Sequence, residues 1–186
     1  MAAVVIYDAC VLHPAPLRDL LIRLAREGLV RARWTDTILD ECFRSILRRR
    51  PELAAPLKRT RELMIAAVPD SLIDGYSDLI ETLVLPDPDD RHVLAAAIRA
   101  GAETIVTANL SDFPRDVLAH YRVEAKHPDD FVVDLIDAAP AVVLEVVAKQ
   151  AADLRSPPRS TDEVLDLLQS VGLPIAVTRL RELYTG

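Results

Sequence analysis

Glycine is scarce in this chain, with five in 186 residues, at Gly28, Gly75, Gly101, Gly172 and Gly186. None sits in a GxGxxG or P-loop pattern, which excludes the usual glycine-rich phosphate cradles. Around Gly75 the sequence reads GYSDL, so the GxSxG turn of a serine hydrolase is also missing. The four histidines, His13, His92, His120 and His127, show no HExxH spacing, and the two cysteines, Cys10 and Cys42, lie far apart. Neither a structural zinc site nor a disulfide framework is expected, and a reducing cytoplasm is the expected compartment. Long apolar runs are lacking as well: residues 1–7 and 138–144 fall well short of the roughly 20 residues of a membrane span. The first basic residue is Arg18, so the basic start of a secretory signal is not expected. There is no internal repeat or low-complexity tract.

What is present is an acidic excess, 29 Asp plus Glu against 22 Lys plus Arg, for a net charge of −7. Apolar residues make up 51%, enough for a sizeable core, and the length suits one domain with an appendage. The charge is uneven. Residues 44–61 carry Arg44, Arg48, Arg49, Arg50, Lys58, Arg59 and Arg61 against Glu52 alone, a local net of +6. Such a stretch can guide a polyanion such as RNA toward an acidic site that holds cations.

Residues 3–7 (AVVIY) read as a strand buried on both faces. Leu17, Leu20, Leu21 and Leu24 then mark a helix that Gly28 stops, and 29–34 read as a second strand. Leu39, Phe43, Ile46 and Leu47 predict a helix that Pro51 ends, and further helices are expected over 52–67, 71–83 and 91–100. A buried strand at 104–107, a helix at 114–120 and a short edge strand at 122–126 complete an α/β pattern with a parallel sheet. From 128 onward the reading is helical, near 129–137, 140–154, 161–171 and 174–184, with Pro157-Pro158 as the clearest linker signal. The apolar residues Val132, Val133, Leu135, Ile136, Leu165, Leu167 and Leu168 of this region require a burial partner.

In a parallel α/β fold, sites form outside the C-terminal ends of the strands. Asp8 ends the first strand, where packing explains a carboxylate poorly. Asp112 follows the strand at 104–107, Glu41 lies one turn after Ile38, and Asp87, Asp89 and Asp90 open a helix. Asp129-Asp130 also opens an apolar helix but lies beyond the α/β part, and is read as a cap of that helix. Carboxylates gathered in one place repel one another and raise each other's pKa values unless a cation neutralises them. Mg²⁺ or Mn²⁺ resolves that conflict, because both take hard oxygen ligands and share them with substrate phosphate.

The order and setting of these acids resemble the PIN domain family of metal-dependent ribonucleases and, within it, the VapC-type toxins of toxin–antitoxin modules. The residues that carry the resemblance are Asp8 in VVIYDACVL, Glu41 in WTDTILDE, Asp90 in LPDPDDRHVLAAAI, and the TANLSDFP stretch. The resemblance implies a PIN-like parallel sheet flanked by helices over 1–130 and an all-helical extension over 131–186. It implies an endoribonuclease using Mg²⁺ or Mn²⁺, with Asp8, Glu41, Asp90 and Asp112 as catalytic metal ligands and Thr107 and Asn109 lining the pocket. Some family members place the fourth acid two residues after the threonine, where this chain has Asn109, so Asn109 and Asp112 both stand for that role. Asp87 is a further metal-shell candidate, one turn before Asp90. The implied partners are RNA and a small antitoxin, and the apolar residues of 130–186 are expected in part to pack on the core and in part to form a surface for a second copy of the chain or the antitoxin. Two alternatives stay open. One is a non-catalytic metal- or RNA-binding module. The other is a haloacid-dehalogenase-type phosphatase, which needs a second Asp where this chain has Cys10.

Overall fold

The computed structural model describes residues 2–185. Its centre is a four-stranded parallel sheet of β1 (Val4–Tyr7), β2 (Arg31–Arg33), β3 (Thr104–Val106) and β4 (Glu124–Lys126), in the order β2-β1-β3-β4. The chain leaves β1 toward β2 on one side and returns to place β3 on the other. The reversal point therefore lies between the C-terminal ends of β1 and β3, where open α/β sheets form ligand crevices.

Helices cover the sheet. α1 (Ala9–Leu12) and α2 (Ala15–Arg26) follow β1, α3 (Asp36–Arg49) and α4 (Ala54–Ala67) follow β2, and α5 (Ser77–Ile80) and α6 (Arg91–Ala100) precede β3. α7 (Arg115–Ala119) joins β3 to the edge strand β4. On α2, Leu17, Leu20, Leu21 and Leu24 are buried at the predicted spacing, each contributing about 1.5–3 kcal/mol of transfer free energy. α6 ends where the sequence expects, because Gly101 takes the left-handed conformation at φ 61° and closes its last turn.

The stretch 71–83 departs from the predicted helix. The Trp34 N–H donates to the Ser71 carbonyl at 2.9 Å and the Ile73 N–H to the Trp34 carbonyl at 2.9 Å, so residues 71–73 run beside the end of β2. Positive φ values at Asp70 (61°) and Gly75 (64°) turn the chain on either side. Backbone pairing with Trp34 wins over the local apolar spacing, and only Ser77–Ile80 stays helical.

The helices after β4 are α8 (Pro128–Ala138), α9 (Pro140–Asp153), α10 (Thr161–Ser170) and α11 (Pro174–Thr185). They are not a separate body: one continuous cluster of buried side chains runs from Val5 to Leu180. α9 packs on α2, where the Gln150 amide donates to the Pro16 carbonyl at 2.9 Å. Asp129 is a cap, but not of its own helix. Its carboxylate accepts from the Ile175 and Ala176 N–H groups at 3.0 and 2.8 Å and so caps α11, whereas α8 is capped by the His127 ring. Among the described residues no helix is long and apolar enough to cross a membrane.

Candidate active site

Parallel register builds the first half of the site. Tyr7 pairs with Val106, so the next residues on each strand, Asp8 and Thr107, emerge side by side at the C-terminal edge. Asp8 is 5% exposed. One carboxylate oxygen accepts from the Ala9 N–H at 2.6 Å, which caps α1. The other accepts from the Thr107 hydroxyl at 2.7 Å and the Cys10 thiol at 3.1 Å. Burial, then the charge of Asp8, pushes the Cys10 thiol up to about 12, so it stays protonated as a donor to Asp8. Thr107 in turn accepts from the Asn109 N–H at 3.0 Å, which ties the following loop to the same point.

The second half comes from α3 and the start of α6. Glu41 projects from α3, and one of its carboxylate oxygens lies 3.0 Å from His92 Nε2. His92 is buried, and its Nδ1 has no partner. Nε2 is the ring nitrogen that donates to Glu41. Asp90 ends the 3₁₀ turn Pro88–Asp90 and enters α6 with no side-chain hydrogen bond. Its carboxyl is pushed up to about 6, first by burial and then by Asp8, Asp112 and Asp87, with His92 acting in the opposite direction.

Asp8, Glu41 and Asp90 line one cavity of about 430 Å³, together with Ala9, Cys10, His13, Cys42, Ser45, Arg49 and Asn109. Thr107 is fully buried behind Asp8. Asp112 and Asp87 lie outside the cavity wall but act on Asp90 through their charge, and Asp87 also accepts from the Asp89 N–H within its own turn. Of the two candidates for the fourth position, Asn109 lines the cavity and Asp112 does not. Among the described residues no three His, Cys, Asp or Glu side chains are close enough to enclose a metal unaided. Hard oxygen donors with an unneutralised excess of negative charge at Asp90 fit a divalent ion that keeps several of its own waters.

The raised Asp90 carboxyl makes a pH prediction. Its folded value near 6 exceeds the ordinary 3.8, so between these limits the folded protein holds a proton that the unfolded chain has released. The resulting stability is present below about pH 4 and is lost as pH rises through about 6. Melting curves of metal-free protein should show this loss, and added Mg²⁺ or Mn²⁺ should reverse it with release of a proton. A melting profile over this window that neither pH nor metal moves would count against a shared carboxylate site.

The basic segment divides. Arg50 pairs with Glu52 at 2.8 Å, and Arg61 pairs with both Asp36 and Asp40. Arg44, Arg48 and Lys58, with the Arg61–Asp40 pair, rim a groove of about 640 Å³ between α3 and α4 whose floor is Phe43, Leu47 and Leu57. Arg59 is exposed, and Arg49 alone of the seven lines the carboxylate cavity. Sequence reasoning missed His92. Its signal was placement, because His92 falls in phase with the buried Ala95 and Ala96 of α6, where an imidazole needs a partner.

Residues 3–111 match the PIN domain family, and the chain belongs to it. This replaces the phosphatase alternative, whose acid/base position holds the protonated Cys10 thiol. Residues 128–182 match a second family, the VapC50 C-terminal domain. The chain is also similar to the protein named "Putative ribonuclease VapC50" of Mycobacterium tuberculosis (strain ATCC 25618 / H37Rv), with 43% identity over 94 residues. That stretch is 50% of this chain and 55% of the relative, so the chain spans about half the length of the curated relative it matches. No solved structure matches the chain.

Proposed function

We propose that this protein is an endoribonuclease dependent on Mg²⁺ or Mn²⁺, acting in the cytoplasm as the toxin of a toxin–antitoxin module. In this reading residues 1–130 are the nuclease and 131–186 a helical extension. The observation that carries the reading is the convergence of Asp8, Glu41 and Asp90, distant in sequence, on one cavity at the reversal point of the sheet. Asp8, Glu41 and Asp90 would hold the ion, with Asn109 or Asp112 completing its surroundings. Bound there, a divalent ion supplies charge neutralisation and an activated water for phosphodiester hydrolysis.

The chain's own groups do the positioning. Thr107 and Cys10 hold one Asp8 oxygen by donated hydrogen bonds and the Ala9 N–H takes one site on the other, leaving that second oxygen one acceptor site for a cation. His92 fixes Glu41 from behind, as outer-shell donors do for carboxylate ligands. Asp90 must lose its proton before it can ligate, so cleavage should rise with pH through about 6. The groove between α3 and α4 has an apolar floor and a basic rim, which suits an acidic amphipathic segment of an antitoxin better than ribose and phosphate.

The direct test is incubation with total cellular RNA and mapping of new ends. Discrete new ends with Mg²⁺ or Mn²⁺, and none with a chelator, are expected. Metal binding without cleavage would instead favour a binding module, and cleavage that survives chelation would overturn the metal dependence.

A further inference from the structure

The carboxylate cavity is not lined by acids alone. Ser45 and Arg49, one and two turns along α3 from Glu41, and His13 also line it, and none of them belongs to the acidic motifs. Arg49 has no carboxylate partner among the described residues, although Asp8, Glu41 and Asp90 line the same cavity, whereas Arg50 and Arg61 are neutralised by their neighbours. His13 lies close enough to feel Arg49: its imidazole is held below the ordinary range, first by burial, then by Arg49 and Arg18. Along α3 the lining therefore passes from the acidic Glu41 through Ser45 to the cationic Arg49 in the last turn.

A guanidinium that lines the same cavity as three carboxylates yet pairs with none of them is free to take an anion there. In a protein of net charge −7, an RNA strand entering an acidic pocket needs a local cation to hold it. We infer that Arg49, assisted by Ser45 and His13, forms a phosphate subsite that holds the phosphodiester next to the scissile one in a single-stranded RNA. The inference rests on the ribonuclease reading, and it makes Arg49 a substrate-binding residue distinct from Arg44, Arg48 and Lys58, which rim the apolar groove.

The test uses the full chain in an Asp8→Asn background, so that RNA can be bound without being cut. A short fluorescent single-stranded RNA of mixed sequence is titrated at several salt concentrations. Adding Arg49→Ala should weaken binding roughly tenfold, the loss expected for a charge-assisted contact. It should also flatten the slope of log affinity against log salt by about 0.7, one phosphate contact on a single strand. Arg49→Lys should restore the slope, and Arg155→Ala, on an exposed residue outside both the cavity lining and the basic stretch, should change neither quantity. With Asp8 restored, Arg49→Ala should raise KM and largely spare kcat. Unchanged affinity and slope in Arg49→Ala would overturn the subsite even if the wild type cleaves RNA. Arg49-dependent binding by a wild type that does not cleave would overturn the ribonuclease reading and leave the subsite standing. Absence of RNA binding altogether would overturn both.

Discussion

Asp8→Asn is expected to lower metal-dependent RNA cleavage by more than about 100-fold while leaving the fold intact. Three donors converge on the Asp8 carboxylate: the Ala9 N–H, the Thr107 hydroxyl and the Cys10 thiol. A carboxylate accepts all three and keeps one acceptor site for a cation, but an amide has one oxygen and, with that oxygen on the Ala9 N–H, turns its NH₂ toward Thr107 and Cys10. The Thr107 hydroxyl can rotate to accept instead, so the volume-neutral change should cost little stability. The same substitution has an electrostatic readout. After burial, the charge of Asp8 is the largest influence raising the Asp90 carboxyl, so Asp8→Asn should bring Asp90 down toward the ordinary carboxylate range. NMR titration of that carboxyl, beside a cleavage assay, checks both halves. Undiminished metal-dependent cleavage would remove Asp8 from the site, and an unmoved Asp90 would mean that the two acids do not share one field.

The sheet strands and most helices were legible because their signals are local. The apolar run 3–7 and the leucine spacing of α2 depend on nothing outside themselves, and Gly101 reports its own left-handed turn. What sequence could not give was set by partners far along the chain. The segment 71–83 has helical apolar spacing but pairs its backbone with Trp34, and nothing within the segment announces that pairing. Asp129 carries the signature of a helix start, yet its carboxylate serves a helix some 46 residues later. For the site, the order of Asp8, Glu41 and Asp90 was readable from their motifs. The division of the basic segment was not, because how α4 packs on α3 decides that Arg61 meets Asp36 and Asp40, and the side of α3 from which an arginine leaves decides between the apolar groove and the carboxylates.

Removal of residues 131–186 is expected to abolish cooperative folding, not merely to expose a surface. The extension supplies Val143, Val146, Val147 and Ala151 on α9 and Val164, Leu165 and Leu168 on α10, all buried, and α9 and α10 pack against α2. Deleting them would bare the outer face of α2, which already gives its other side to the core. The cut also removes Phe131, whose ring meets Tyr7 edge-on at 6.1 Å, while Tyr7 stacks on Trp34 at 6.4 Å. Tyr7 is the residue that delivers Asp8 to the cavity, so the extension reaches the site through one aromatic contact. A full-length Phe131→Ala variant separates the two effects. It should lose about 3–5 kcal/mol in denaturant unfolding, as buried phenylalanine truncations do, and it should weaken Mg²⁺ or Mn²⁺ binding at concentrations of denaturant where the protein is still fully folded. Equal metal affinity in Phe131→Ala and wild type would confine the extension to stability. A soluble, cooperatively folding 1–130 fragment would show that the α/β part closes its own core and that the packing of α9 and α10 on α2 is dispensable.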